Sequence, residues 1–342
     1  MALIIHATNV HQGGGRTLLL SLLKAAISRD DVRAVLLDER LDTPNGLEDK
    51  INVLHYKPSL SSRFSAERAL ASFASSDDII LCFGGIPPLF RQRAKVLLFV
   101  QNRYLTGGVS TCDFPFWVKI RIAGERLIFR RAEHTVDRIL VQTPSMYRSL
   151  TPALQGIAKV LPVFDPAVIQ GLPNSQKSAD GPIFLYVASG EPHKNHRTLV
   201  EAWKLLASEG ISMPLRLTLA ESDPAALREW IENESLRFAL DIDIGVNRDR
   251  CRVQELYTRS DVLIFPSYFE SFGLPLLEAR QAGLAIIAAE RDYVRDVVIP
   301  EQCFDPESPI SIARAVKRYL GLQKAPAIPL DSMAFLNAVC EC

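Results

Sequence analysis

Seven residues separate two glutamates, Glu270 and Glu278, in the stretch DVLIFPSYFESFGLPLLEARQAG at positions 261–283. Two carboxylates can form an acid/base pair, as in hydrolases, and a single carboxylate can accept two hydrogen bonds from a diol. Asp261–Phe265 reads as a buried strand, a loop then carries Glu270, and a helix from about Leu274 carries Glu278 until Gly283 stops it. Glu278 lies one turn into that helix, on the face of Leu274. The helix start at Phe272, Gly273 and Leu274 presents its positive end and so favours an anion. Lys194, in the run Glu191-Pro192-His193-Lys194-Asn195-His196, stands just before another helix, expected over 198–206. A lysine there adds a mobile positive charge where backbone N–H groups already favour phosphate. Taken alone, a loop lysine is also at home in solvent. Gly13-Gly14-Gly15 follows the first strand and lets a ligand approach the backbone, or else packs a tight turn.

These residues need a scaffold, and the pattern supplies one. Apolar strands are expected at 2–7, 32–37, 51–55, 78–83, 95–100, 137–143 and 159–162. A second series falls at 183–187, 215–220, 242–245, 261–265 and 285–289, with helical patterns interleaved throughout. Alternating strands and helices predict an α/β fold with parallel sheets. Ligands in such folds bind beyond the carboxyl ends of strands. That makes Gln101-Asn102-Arg103, delivered by the strand Lys95–Val100, site candidates, with a satisfied surface loop as the other reading. A dinucleotide site is a further alternative, because Asp38 falls near where a ribose-binding acid belongs, but Gly13-Gly14-Gly15 does not fit G-x-G-x-x-G.

At 342 residues the chain suits two domains. The expected division is 1–165 and 166–322, within a Pro-, Asn-, Ser- and Asp-rich linker over 163–182, with a tail over 323–342 packing back on the first domain. Lys plus Arg and Asp plus Glu number 39 each, so bulk charge argues against a nucleic-acid partner, and any electrostatic attraction must be local. Six cysteines lack the spacing of a zinc site, which leaves no metal expected and points to reduced thiols. The first residues lack a basic region and cleavage site, and no run reaches about 18 apolar residues. The expected location is therefore cytoplasmic, with any membrane work done peripherally at the inner face. Residues 114–134, FPFWVKIRIAGERLIFRRAEH, interleave aromatic and basic side chains. That segment suits either an anionic membrane surface or a helix with a core face and a solvated basic face.

The run Glu270-Ser271-Phe272-Gly273-Leu274-Pro275-Leu276-Leu277-Glu278 resembles the E-x7-E motif of family 4 retaining glycosyltransferases, as found on bacterial surface-polysaccharide pathways. Glu191 to His196 resembles that family's phosphate loop, and Gly13-Gly14-Gly15 its amino-terminal glycine turn. The three segments lie in the right order and halves, so the resemblance covers most of the chain. It implies a GT-B fold, two Rossmann-like domains facing across a cleft, with acceptor bound by the first and sugar nucleotide by the second. The implied ligands are a GDP-mannose-like or other nucleotide-sugar donor and a saccharide acceptor, lipid-linked, in O-antigen, capsule or exopolysaccharide assembly, with no cofactor or metal. Position by position, it places Glu270 against the donor sugar rather than as a nucleophile. It gives the Phe272, Gly273 and Leu274 amides to sugar and diphosphate, Glu278 to the ribose, and Lys194 to the diphosphate. Gly14 and Gly15 approach the same phosphates, and the backbone at Gly245 and Val246 reads the base. Two departures stand out. An arginine common six residues before the lysine is Ala188 here, so Lys194 acts alone or with Arg197. A histidine common after the fifth strand is replaced by Gln101-Asn102, to which the acceptor-side catalytic role passes. The competing functions are a GT-B sugar-nucleotide epimerase, a non-catalytic sugar-nucleotide-binding or scaffold protein and, last, a dinucleotide oxidoreductase.

Overall fold

The computed structural model describes residues 1–106, 109, 111, 114–130, 132–163, 181–220, 223–246 and 250–323. Its strands are β1 (Leu3–Ala7), β2 (Val32–Asp38), β3 (Asn52–Tyr56), β4 (Ile79–Phe83), β5 (Lys95–Val100), β6 (Arg138–Val141), β7 (Ala158–Val160), β8 (Phe184–Tyr186), β9 (Leu215–Leu219), β10 (Ile242–Val246), β11 (Val262–Phe265), β12 (Ala285–Ala289) and β13 (Gln302–Phe304). The helices are α1 (Gly13–Ile27), α2 (Leu60–Phe73), α3 (Phe116–Phe129), α4 (Ala132–Thr135), α5 (Pro144–Arg148), α6 (Pro152–Gln155), α7 (His196–Ser208), α8 (Ala225–Phe238), α9 (Arg250–Thr258), α10 (Leu274–Gln281), α11 (Asp292–Arg295) and α12 (Pro309–Tyr319).

Two parallel sheets result, in the orders β3-β2-β1-β4-β5-β6-β7 and β10-β9-β8-β11-β12-β13. Central strands are apolar on both faces, as sheets covered by helices on both sides require. Along β2, Ala34 and Leu36 pack into one core cluster while Val35 and Leu37 pack into another on the opposite face. The second sheet has its own core, built on Phe184, Leu217, Phe265 and Ile287 and closed by Leu199, Trp203 and Ile312 from the helices. Each sheet reverses its strand order once, at β1/β4 and at β8/β11, and crevices at such switch points hold ligands. β1 leads into Gly13–Gly15, β8 into Lys194, and β11 into Glu270, so both switch points face the residues singled out by their chemistry.

Expected and observed elements differ in instructive places. Gly13-Gly14-Gly15 form the first turn of α1 rather than a loop. Strand β13 and the short helix α6 carry no clear apolar period and were not expected, and the segment 114–134, read as one helix, holds both α3 and most of α4. The division at 165/166 falls in 164–180, and the tail in 324–342, both outside the described residues. Helix α3 buries Ile122 and Phe129. Arg126 also turns inward: its Nε donates to the Tyr104 carbonyl at 2.6 Å and its Nη2 to the Val109 carbonyl at 3.1 Å. Arg126 therefore braces a loop and does not belong to a solvated basic face.

Candidate active site

Helix α10 begins where chain geometry forces it to. Its N-cap Gly273 has φ +81°, a conformation that disfavours any residue with a side chain. Pro275 has no N–H, and the Leu276 N–H donates to the Gly273 carbonyl at 2.9 Å. Among the described residues, the N–H groups of Phe272, Gly273 and Leu274 find no hydrogen-bond acceptor. Three consecutive unspent amides at a helix start make a place for an anion.

The lysine predicted to serve that anion is at hand. Lys194 ends a short 3-10 helix (Pro192–Lys194), and its Nζ donates to both Glu270 carboxylate oxygens at 2.8 Å. Both side chains are mostly buried, 16% and 11% exposed. Two switch-point loops are thus tied by a charge-assisted pair, stronger than a neutral hydrogen bond. Further bonds lock the loops together. The Tyr186 hydroxyl donates to the Lys194 carbonyl at 2.6 Å, the Tyr268 N–H to the His193 carbonyl at 2.9 Å, and the Tyr293 hydroxyl to the Ser267 carbonyl at 2.8 Å. Asn195, between the 3-10 helix and α7, adopts the left-handed conformation at φ 62°. Its Nδ2 donates to the Pro266 carbonyl at 3.2 Å and to the Pro306 carbonyl at 2.7 Å.

Glu278 sits one turn into α10, as expected. Its Oε2 accepts from the hydroxyl of Tyr257 on α9 at 2.9 Å. Tyr257 is fully buried, so this hydroxyl fixes one carboxylate oxygen. Gly245 and Val246 end β10, the edge strand, separated from β8 by β9.

The first domain closes over this arrangement. Leu274 packs against the core cluster of that domain that includes Val10 and Leu18. A Cβ on Gly14 would stand 3.3 Å from Leu274 Cδ1, and one on Gly15 2.7 Å from Gln101 Oε1. The glycines therefore admit the second domain's helix start on one side and the Gln101 amide on the other. Gln101 Nε2 is buried and finds no partner among the described residues. Asn102 works differently: its Oδ1 accepts the Tyr104 N–H at 2.9 Å and caps the short helix Arg103–Leu105. Tyr104 then crosses to the second domain, its hydroxyl 2.9 Å from His193 Nδ1. His193 stacks on Phe269 at 4.6 Å between centroids, and Tyr104 meets Phe269 edge-on at 5.4 Å. Burial, with help from Lys194, holds the His193 imidazole well below its ordinary range, so it is neutral here. Ser271 carbonyl accepts from Thr143 Oγ1 at 3.3 Å, and Asp296 Oδ2 accepts from Ser145 N–H at 2.7 Å, completing the seam.

Two sequence expectations are corrected by their partners. Asp38 is not presented to a ribose. Both of its oxygens are taken by the Arg40 guanidinium at 2.8 and 2.7 Å, which holds its carboxyl below the usual range despite burial. Arg197 is not aimed at a phosphate. Its guanidinium lies over the Trp230 ring, 4.5 Å from the centroid. Tyr104, Asn195 and Tyr257, in contrast, join the site without having been singled out for it.

Residues 172–328 match the family of glycosyl transferases group 1. The serotype-specific mannosyltransferase WbdA of Escherichia coli is 30% identical over 179 residues, 46% of this chain and 20% of that protein. The O-antigen chain mannosyltransferase B of Escherichia coli is 30% identical over 125 residues, 33% of this chain and 30% of that protein. The chain thus spans less than a third of the length of these relatives. Among solved structures, Anabaena Alr3699/HepE in complex with UDP aligns with a TM-score of 0.68 at 15% identity, covering 94% of this chain and 90% of that one. The fold is GT-B: two Rossmann-like domains of seven and six parallel strands facing across a cleft.

Proposed function

We propose, with the group 1 glycosyltransferase domain at residues 172–328 as premise, that this chain is a retaining glycosyltransferase of family 4. It moves a hexose from a nucleotide-sugar donor to a saccharide acceptor, lipid-linked, at the cytosolic membrane face in O-antigen or related surface-polysaccharide assembly. The observation that carries the reading is the Lys194–Glu270 pair at 2.8 Å beside three unspent amides at the start of α10. The two mannosyltransferase relatives favour a GDP-mannose-like donor.

In this reading the second domain holds the donor. The Glu278 carboxylate, steadied by Tyr257, accepts from the ribose hydroxyls. The Gly245 and Val246 backbone meets the base. Lys194 and the amides of Phe272, Gly273 and Leu274 face the diphosphate, and Gly14 and Gly15 let the first domain approach it. The acceptor hydroxyl oxygen bonds to the anomeric carbon as the bond to diphosphate breaks, releasing nucleoside diphosphate and the hydroxyl proton. Negative charge grows on the leaving diphosphate, so fixed positive groups there lower the barrier more than they strengthen ground-state binding. This division needs no metal, because the lysine and the helix start supply the charge. Glu270 accepts from hydroxyls of the donor sugar while orienting the Lys194 ammonium. Gln101, buried against Gly15, faces the acceptor side, and Asn102 holds the turn that carries it.

A thermal-shift panel of GDP-, UDP- and dTDP-sugars tests the donor, followed by release of nucleoside diphosphate with and without saccharide acceptor. The expected results are stabilisation by one base class and release that depends on the acceptor, with the anomeric configuration retained by NMR. Stabilisation at 100 times the dissociation constant amounts to about 2.7 kcal/mol. In the same assay Tyr257→Phe loses a hydrogen bond to a charged group, about 1.5 kcal/mol, and should raise donor KM about tenfold with kcat little changed. No stabilisation by any nucleotide sugar would overturn the donor assignment. Release without acceptor would overturn transfer.

A further inference from the structure

Helix α3 carries an apolar face that nothing among the described residues covers. Phe116 is 67% exposed, Trp117 77%, Ile120 49% and Leu127 63%. At 100° per residue, these four with Ala123 and Gly124 fall within an arc of about 120°. Ile122 and Phe129 occupy the opposite side, packed into the protein. The exposed face is therefore not the helix's core face turned outward; the helix has two apolar sides, one buried and one bare. Basic residues border the bare one. Arg130 and Lys119 fall on one flank, and Arg121, 3.8 Å from Glu125, on the other.

We propose that the α3 face Phe116–Trp117–Ile120–Leu127, with its Lys119, Arg121 and Arg130 flanks, docks this protein on an anionic lipid surface. Two observations favour a bilayer over a protein partner. Its four large side chains present about 500 Å², short of the ~800 Å² that each partner contributes to a standard protein interface. A phenylalanine and a tryptophan between basic flanks also match the layered chemistry of a membrane interface, apolar inside and anionic at the headgroups. None of the helices in the described residues is long and apolar enough to cross a membrane, and the proposed contact is of the kind in which an amphipathic helix lies in the plane of the interface. The structure also reassigns charge within the segment. Arg126 is spent on the Tyr104 and Val109 carbonyls and takes no part, so the electrostatic share falls to Lys119, Arg121 and Arg130. The inference stands on this surface and not on the glycosyl-transfer reading.

Cosedimentation of the full chain with vesicles of phosphatidylglycerol and phosphatidylcholine, against phosphatidylcholine alone, provides the test. Binding is expected to the anionic vesicles, weakening with salt, with a blue shift of the exposed Trp117 emission. Phe116→Ser with Trp117→Ser should cut the bound fraction at least tenfold without lowering Tm, since both rings are already in water. Lys119→Glu with Arg130→Glu should weaken binding to anionic vesicles and flatten its salt dependence. Absence of binding, or binding unchanged in both variants, would overturn the proposal. So would binding that emerges only after removal of 324–342, which would make the tail the occupant. A dimer in sedimentation velocity that the Phe116/Trp117 variant dissolves would assign the face to a second copy instead.

Discussion

Lys194→Ala is expected to lower kcat for transfer about 10³-fold, roughly 4 kcal/mol of transition-state stabilisation, and to raise donor KM. Among the described residues the ammonium is the one side-chain cation found on the Glu270 carboxylate, and it stands at the switch point where the diphosphate is proposed to lie. Its removal also leaves Glu270, 11% exposed, without its partner, which costs some stability. Glu270→Ala separates the two effects. There Lys194 is no longer shared, so donor binding should hold or tighten while kcat falls, because the sugar loses an acceptor and the lysine its orientation. The double variant Lys194→Ala/Glu270→Ala should recover much of the Tm lost in Lys194→Ala without recovering kcat. Steady-state kinetics beside thermal denaturation of all three decide the matter. If Lys194→Ala keeps more than a tenth of wild-type kcat, the charge that stabilises the leaving group resides elsewhere, and Arg103 is the first place to look. Its guanidinium lies 5.8 Å from the centroid of Phe269, the neighbour of Glu270, and its Nε is buried without a partner among the described residues.

Much of the scaffold was legible because parallel strands covered on both faces must be apolar throughout. Lys95–Val100 and Ala285–Ala289 are read from sequence at their observed limits for that reason. The glycine run was less transparent. Three glycines disfavour a helix locally, yet Gly13–Gly15 begin α1, where close contacts with Leu274 and Gln101 take precedence over propensity. The charged residues show where sequence stops informing. Asp38, Arg197 and Arg126 each have a type that suits a site, and each is consumed by a partner that local sequence does not reveal: Arg40's guanidinium, the Trp230 ring and two loop carbonyls. The reverse holds for Tyr257 and Tyr104. Tyr257 reaches Glu278 across 21 residues and Tyr104 reaches His193 across 89, distances that only the strand order and the closure of the domains make short. The placement of Glu270 after β11, Glu278 on α10 and Lys194 before α7 was readable because strand ends and helix starts fix it. What holds those residues in place was not, because it arises from tertiary neighbours.

Asn195 illustrates that support, and its replacement should produce the largest loss of stability among single changes near the site. The residue holds a left-handed turn at φ 62° and spends both protons of its buried amide on carbonyls from two different loops, Pro266 after β11 and Pro306 after β13. Asn195→Ala removes both bonds, leaves two carbonyls without that donor, and places a Cβ residue with no compensating side-chain bond in the left-handed region. The bonds contribute about 1 to 1.5 kcal/mol each and the backbone strain about 1, for roughly 3 to 4 kcal/mol in all. For a domain of about 150 residues that corresponds to a Tm lower by about 10 °C. Asn195→Gly discriminates between the two contributions, since glycine tolerates the turn but makes neither bond. It should recover the strain and leave the larger part of the loss. Both variants also release the turn between Lys194 and α7, so each should raise donor KM at temperatures where the protein remains folded. If Asn195→Gly were as stable as the native protein, the bonds to Pro266 and Pro306 would contribute nothing, and the position of Lys194 would rest on Tyr186, Glu270 and the bond from Tyr268 to His193.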